Sequence, residues 1–446
     1  MNSIDKNFKL VKLAIWSYFW LLIFEGAIRK WIFPGLSGPL LIIRDPVVLA
    51  IYFFAMRAGC FPKRFIMNLV LFLGFIFIIL GFLQLLTNPE ANLFITIFGW
   101  RVYFLHLPLI YIIPSIFTIS DVKEMGKWVL LLSPVIAITM IMQFSSPPTA
   151  FINAGTMGDE VGQIVGVGNK IRPPGLFSFI SGAAQFLAFS TSFMLWGLLT
   201  PKTYPKWLLL GAAISIPLAL GVSTSRTSVI GCLLIFIALP IQFLLNPVSG
   251  KRIPMVFVSA LTSLFFLSYI PAFSEGLDIF SQRLENVSRS YNADVGADLP
   301  SRVAEDFLGV FDVIDLVPLL GYGLGLGTNF ASILITGEAT FLLAEGEWAR
   351  VILESGIYFG FVFILLRVLI LLNMAWLSLK AAAIGNSLPL LLFLFAAPGI
   401  LNGQIGQPTT LGFMVLGGGL CLAALNNMNE ERYDEIKAIR VDSKAL

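Results

Sequence analysis

Mainly apolar runs recur along the chain at 8–27, 39–56, 66–87, 100–119, 125–143, 178–199, 205–222, 226–245, 253–270, 348–372, 384–402 and 408–426, with polar positions gathered between them. A bilayer-spanning helix needs about 20 such residues, so the pattern predicts an all-α integral membrane protein with about twelve transmembrane helices. Only Ser223-Thr224-Ser225 separates 205–222 from 226–245, yet roughly forty residues are too many for one crossing. The first run has no small-residue cleavage site and leads into further spans, which predicts a retained helix rather than a signal peptide. One polytopic membrane domain, 1–446, accommodates the whole pattern.

The distribution of cations sets an expected orientation, because cytoplasmic loops collect Lys and Arg. With a cytoplasmic N-terminus, the inner side carries Lys6, Lys9, Lys12, Arg57, Lys63, Arg64, Lys123, Lys127, Lys202, Lys206, Lys251, Arg252, Arg367, Lys380 and the basic residues of a cytoplasmic tail at 427–446. Both termini are then cytoplasmic, and two long loops, 144–177 and 272–346, are extracytoplasmic. The remaining cations are Arg29, Lys30, Arg44, Arg101, Lys170, Arg172, Arg226, Arg283, Arg289, Arg302 and Arg350. This second set is mostly arginine, whose planar fork binds phosphate or carboxylate through two bonds, whereas the inner set is mostly lysine. The bias suits an anionic ligand on the outer side; structural ion pairs are the alternative for any single residue.

Gly and Pro crowd the first long loop, so it is expected to be irregular. In the second, 302–320 is expected to form an amphipathic helix, with Ser301 as N-cap and Val303, Phe307, Val310, Phe311 and Ile314 on one face. Such a helix suits a membrane surface or the cover of a cavity.

Composition supports membrane residence and removes other classes. Hydrophobic residues make up 57% of the 446 and charged residues 12%, with 40 Phe. Soluble domains carry about 25% charge, so an ordinary cytosolic enzyme and a disordered scaffold are excluded. A net charge of +3 without a basic stripe leaves no nucleic-acid partner. Cys60, Cys232 and Cys421 are scattered and His106 is the single histidine, so neither a metal centre nor a disulfide framework is expected.

Ionisable residues inside apolar runs are functional candidates because lone charges are costly in hydrocarbon. Arg44-Asp45-Pro46 falls within the second run, and Arg101 and His106 within the fourth. Arg226 stands in the hydroxyl-rich break Ser223-Thr224-Ser225-Arg226-Thr227-Ser228. A helix starting there would place backbone N–H groups beside a guanidinium, an arrangement that binds anions. Four alternating glycines in Gly321-Tyr322-Gly323-Leu324-Gly325-Leu326-Gly327 permit close backbone approach, either as an amide nest for phosphate or as a plain loop. Glu347, Arg350 and Glu354, at i, i+3 and i+7, share a helix face at the start of the tenth span. They form either a structural ladder or a general base with an anion clamp.

Arg172-Pro173-Pro174-Gly175-Leu176-Phe177-Ser178, entering an apolar helix, resembles the outer-loop arginine motif of the bacterial O-antigen ligase and O-antigen polymerase superfamily. Arg302 followed by Pro318-Leu319-Leu320-Gly321-Tyr322-Gly323-Leu324-Gly325 is similar to that superfamily's second long-loop motif, and Glu354-Ser355-Gly356 with Gly360 to the helix that follows it. The resemblance covers about 165–360; Phe24-Glu25-Gly26-Ala27-Ile28-Arg29-Lys30-Trp31 matches none of these motifs. Ligases of this kind carry a His-Asn pair where this chain has Glu345-Gly346, which favours a polymerase-like member.

The resemblance implies polymerisation of undecaprenyl-pyrophosphate-linked oligosaccharide repeat units at the outer face of the bacterial cytoplasmic membrane, without cofactor or metal. Donor and acceptor are both lipid-linked glycans, and the resemblance admits a chain-length regulator as partner. Arg172, Arg226, Arg302 and Arg101 are the expected pyrophosphate-binding residues, and Glu347 or Glu345 the general base, with Arg350 beside it. A ligase to another acceptor and a transporter or flippase of anionic or lipid-linked substrates are the competing readings.

Overall fold

The computed structural model describes residues 3–88, 91–156, 170–291, 307–338 and 340–426, and every regular element among them is a helix. Among the described residues, seven helices are long and apolar enough to cross a membrane: Lys6–Ile32, Phe65–Thr87, Ile119–Ser145, Ile180–Leu199, Lys206–Ser223, Arg226–Leu245 and Ile357–Ala383. Two more crossings arise if the bent pairs Pro34–Leu40 with Asp45–Arg57 (40°) and Leu93–Leu105 with Leu109–Ile116 (43°) each count as one. The protein is therefore a helical membrane-embedded chain with seven to nine candidate spans, not the twelve expected from hydropathy.

The difference has a geometric cause. The expected runs 253–270, 384–402 and 408–426 hold helices Ile253–Leu267, Leu388–Asn402 and Pro408–Ala423, of 15, 15 and 16 residues. At 1.5 Å per residue these reach about 23 Å, short of a hydrocarbon core near 30 Å. Gly403 ends Leu388–Asn402 and Pro408 opens the next helix, so the backbone leaves the helical path between the two runs.

Ile180–Leu199 occupies the centre of the bundle. It packs against Ile119–Ser145, Lys206–Ser223, Arg226–Phe236, Leu388–Asn402 and Pro408–Ala423. Its small residues Gly182, Ala183, Ala184, Ser190, Thr191 and Ser192 let neighbouring backbones approach closely. Pro408–Ala423 is likewise buried throughout from Thr410 onward, with Gly417 against Phe395 and Gly419 against Ile113. Phe65–Thr87 presents the opposite pattern. Phe72, Phe75, Ile78, Ile79 and Phe82 are exposed on it, the surface expected of a helix against lipid.

One further expectation is corrected, that of a single amphipathic helix over 302–320. The second long loop is largely helical where described, with Pro271–Tyr291 and Asn329–Thr336 inside it. Ser301, Arg302 and Val303 lie outside the described residues; 307–313 are helical and a 3-10 turn, Ile314–Leu316, follows. Val310 is buried and Phe307 meets Trp348 edge-on, but Phe311 is exposed, so the expected apolar face is narrower than its spacing implied. The tail at 427–446 also falls outside the described residues.

Arg367, a cation of the expected inner set, donates to Glu347 at 2.7 Å. Glu347–Ser355 is a separate nine-residue helix, and Gly356 (φ +80°) turns the chain into Ile357–Ala383. Only glycine adopts that turn without strain. The short helix folds back along the long one, which places position 347 beside position 367.

Candidate functional site where helix breaks meet

Two interrupted helices bring their breaks together. Asp45 follows the interruption at 41–44, and Pro46 starts the next helix without needing an amide hydrogen. Arg101–Leu105 widens into a π-turn that ends at His106. Asp45 accepts from Arg101 through Nε and NH2, and from His106 Nε2 at 3.0 Å. Since a carboxylate only accepts, the imidazole hydrogen sits on Nε2, and Nδ1 takes the Tyr18 hydroxyl at 2.8 Å. Arg44 NH1 donates in turn to the Tyr18 oxygen. All donors in this buried chain run toward Asp45.

Arg44 also crosses to the first helix, with Nε donating to Glu25 at 2.9 Å and NH2 to the Pro408 carbonyl at 2.6 Å. Glu25 takes Arg29 as well. Three cations (Arg29, Arg44 and Arg101) thus pair with two carboxylates, Glu25 and Asp45. Arg101 keeps NH1 buried without a partner.

The segment Glu25 to Lys30 holds down the Arg172 loop. Lys30 donates to the Gly175 carbonyl at 2.9 Å, Arg29 to the Ser178 hydroxyl at 3.3 Å and to the Ser37 carbonyl at 2.9 Å. Gly26 lies flat against the backbone of Phe177 and Ser178, leaving no room for a side chain. Gln143 completes the anchor through the Gly175 amide and carbonyl. On this fixed loop Arg172 makes no ion pair among the described residues, and its Nε is buried without a partner. Burial and the nearby Arg226 guanidinium hold Arg172 below the usual arginine value. Arg226 begins the helix Arg226–Phe236, as expected. Thr224 sits in the left-handed region (φ 47°) before it and Ser225 caps it by accepting from the Ser228 amide.

The expected carboxylate ladder forms, but as a closed clamp. Arg350 Nε and NH2 reach the two oxygens of Glu347, each at 3.0 Å, and NH1 reaches Glu354 at 2.8 Å. Glu347 additionally accepts from Arg367, which is fixed by the carbonyls of Gly399, Ile400 and Gly403. Glu354 accepts the amides of Gly325 and Gly327 at 3.1 and 2.8 Å and the Tyr103 hydroxyl at 2.8 Å. The glycine-rich turn is therefore an amide nest already filled by the protein's own carboxylate. Gln84 secures the same turn by donating to the Leu320 carbonyl and accepting from the Leu324 amide.

Glu345 lies elsewhere, exposed at the rim of a shallow, open recess. Thr328, Asn329, Phe341, Gln404 and Gln407 line it, with Arg350 at its floor. Gln404 Nε2 donates to the Glu345 carbonyl at 3.0 Å, and Gln407 accepts from Ser181, which ties the recess to the helix following the Arg172 loop.

Of the residues singled out in the sequence, the structure brings Arg172 near Arg226, and Glu347 onto Arg350. It assigns Arg101 to Asp45, sets Glu345 apart from the ladder, and leaves Arg302 outside the described residues. Sequence reasoning missed Tyr103, Arg367, Gln404 and Gln407. The glutamines were detectable as polar positions three apart, in a Gly403 to Gln407 gap between two apolar runs. Compared with known family models, curated proteins and solved structures, the chain matches none.

Proposed function

We propose that the chain is a membrane glycosyltransferase that joins undecaprenyl-pyrophosphate-linked oligosaccharides at the outer face of the bacterial cytoplasmic membrane. The observation that carries this reading is the Arg172 environment. The Arg172 guanidinium feels that of Arg226, at the start of a separate helix, and keeps a buried Nε–H without a partner. Such an arrangement is stabilised by an anion, and a pyrophosphate leaving group develops charge as the glycosidic bond breaks.

In this reading the acceptor hydroxyl oxygen attacks the donor's anomeric carbon. The bond from that carbon to the pyrophosphate oxygen breaks, undecaprenyl pyrophosphate leaves, and the hydroxyl proton passes to a carboxylate. Glu347 is poorly suited to receive it, since three guanidinium nitrogens and the Ile405 amide occupy its oxygens. Glu345, exposed at the recess, has the access a general base needs.

The test is mass spectrometry of the undecaprenyl-linked glycan pool after deletion of the gene and complementation with Arg172→Lys. Single repeat units that accumulate in both strains, with long chains lost, support the polymerase. Long chains stranded on lipid would make the enzyme a ligase instead. Repeat units trapped on the cytoplasmic face would favour the flippase reading, to which the paired helix breaks at Asp45 and His106 lend support, because transporters bind substrate at such breaks.

A further inference from the structure

The recess beside Glu345 differs in chemistry from the Arg172 loop. Its single cation, Arg350, has all three guanidinium nitrogens bonded to Glu347 and Glu354, so no charge remains for a phosphate. Glu345 makes the rim negative, which repels an anion further. What remains is neutral hydrogen-bonding capacity. A primary amide carries two N–H donors and two acceptor lone pairs. Gln404 uses one donor on the Glu345 carbonyl and accepts once from Gln407. Gln407 uses that one donor and accepts once from Ser181. Each amide therefore keeps a free N–H and a free lone pair, three positions apart at a fixed turn. Asn329 is exposed and adds another such group.

Phe341 supplies the remaining element. Its side chain is half exposed and lines the same recess as these amides. An aromatic face is electron-rich and attracts the polarised C–H groups of a polyol, while paired amide donors and acceptors match hydroxyls that both give and accept hydrogen bonds.

We infer that the recess formed by Thr328, Asn329, Phe341, Glu345, Gln404 and Gln407 is a binding subsite for a neutral pyranose. Its role as the acceptor end, with the reacting hydroxyl at Glu345, rests on the glycosyl-transfer reading; carbohydrate binding itself does not. The subsite and the Arg172 loop divide the ligand: sugar at one, pyrophosphate at the other, joined through Ser181 and Gln407.

The experiment is saturation-transfer NMR on the purified chain in lipid nanodiscs, since maltoside detergents would compete. The probes are the methyl glycosides of glucose, galactose, mannose, rhamnose and N-acetylglucosamine, with inorganic pyrophosphate titrated separately. At least one glycoside is expected to bind, about tenfold more weakly in Phe341→Ala and Gln404→Ala and unchanged in Arg172→Lys. Phe341 is surface-exposed, so its variant keeps the fold. Pyrophosphate should lose affinity only in Arg172→Lys. Absence of glycoside binding, or binding indifferent to both recess variants, overturns the subsite even if pyrophosphate binds as expected. Glycoside binding that follows the recess variants while pyrophosphate fails to bind upholds the subsite and sinks the pyrophosphate reading instead.

Discussion

The ammonium of Lys30 donates to the carbonyl of Gly175 at 2.9 Å, joining segments 145 positions apart. Lys30 is buried, faces no carboxylate in that contact and lies 4.5 Å from the Trp31 ring centre. Its ammonium therefore serves as a fastener for the loop that carries Arg172.

Lys30→Met keeps the stem and removes the charge, and the Gly175 carbonyl retains Gln143 at 3.1 Å. A buried hydrogen bond of this kind contributes about 0.5–1.5 kcal/mol, so the unfolding midpoint should fall accordingly. Pyrophosphate affinity should fall with it as the loop loosens. Calorimetry on the variant checks both, and an unaltered affinity would remove Lys30 from the site.

Glu345→Gln and Glu347→Gln should behave differently. The exposed Glu345 can change without loss of stability, and turnover should drop by about 10²–10⁴ if it takes the acceptor proton. Glu347→Gln leaves Arg350 and Arg367 short of charge, and should cost about 3–5 kcal/mol in stability. Denaturation curves beside single-turnover assays separate the two. A stable, inactive Glu347 variant would return the base to that position.

Glu354→Ala should release the glycine-rich turn. The amides of Gly325 and Gly327 would lose their acceptor and Arg350 one of its carboxylates. Hydrogen exchange at those two amides should accelerate markedly, since local opening sets its rate. Protection equal to that of the parent chain would show another acceptor holding the turn.

Asp45→Asn should destabilise by about 3–5 kcal/mol by leaving Arg101 buried without its carboxylate. Adding Arg101→Met should recover most of the loss, because removing both charges also removes the desolvation penalty. A double-mutant cycle measures the coupling, and a near-zero value would mean that water reaches the break.

Local spacing carried part of this architecture into the sequence. Glu347, Arg350 and Glu354 meet because a helix places i, i+3 and i+7 on one face, and the helix start at Arg226 follows from its hydroxyl-rich flank. Arg367 joins the ladder only through the reversal at Gly356, which hydrophobic periodicity does not encode. The glycine nest was visible, but its occupant was not, because Glu354 is 27 positions from Gly327. Phe24 to Trp31 matched no motif for a similar reason: its partners are Arg44, Ser178 and Gly175, brought near by packing. Pro46 stood at one interruption in the sequence, yet its meeting with the break at His106 depends on how two separate helices pack.

The sequence distances within the buried pairs bear on how the chain is built during translation. Arg44 meets Glu25 across 19 positions, and Arg367 meets Glu347 across 20. Each of these charges thus has its counterion within the same short stretch of chain. Domains assemble in the order of synthesis, and an unpaired charge resists entry into lipid. Both counterions of each pair are therefore available as soon as that stretch is made, whereas the Lys30 to Gly175 fastening must wait for the middle of the chain. In order of synthesis the Lys30 fastening therefore falls after the Arg44 to Glu25 pair and before the Arg367 to Glu347 pair.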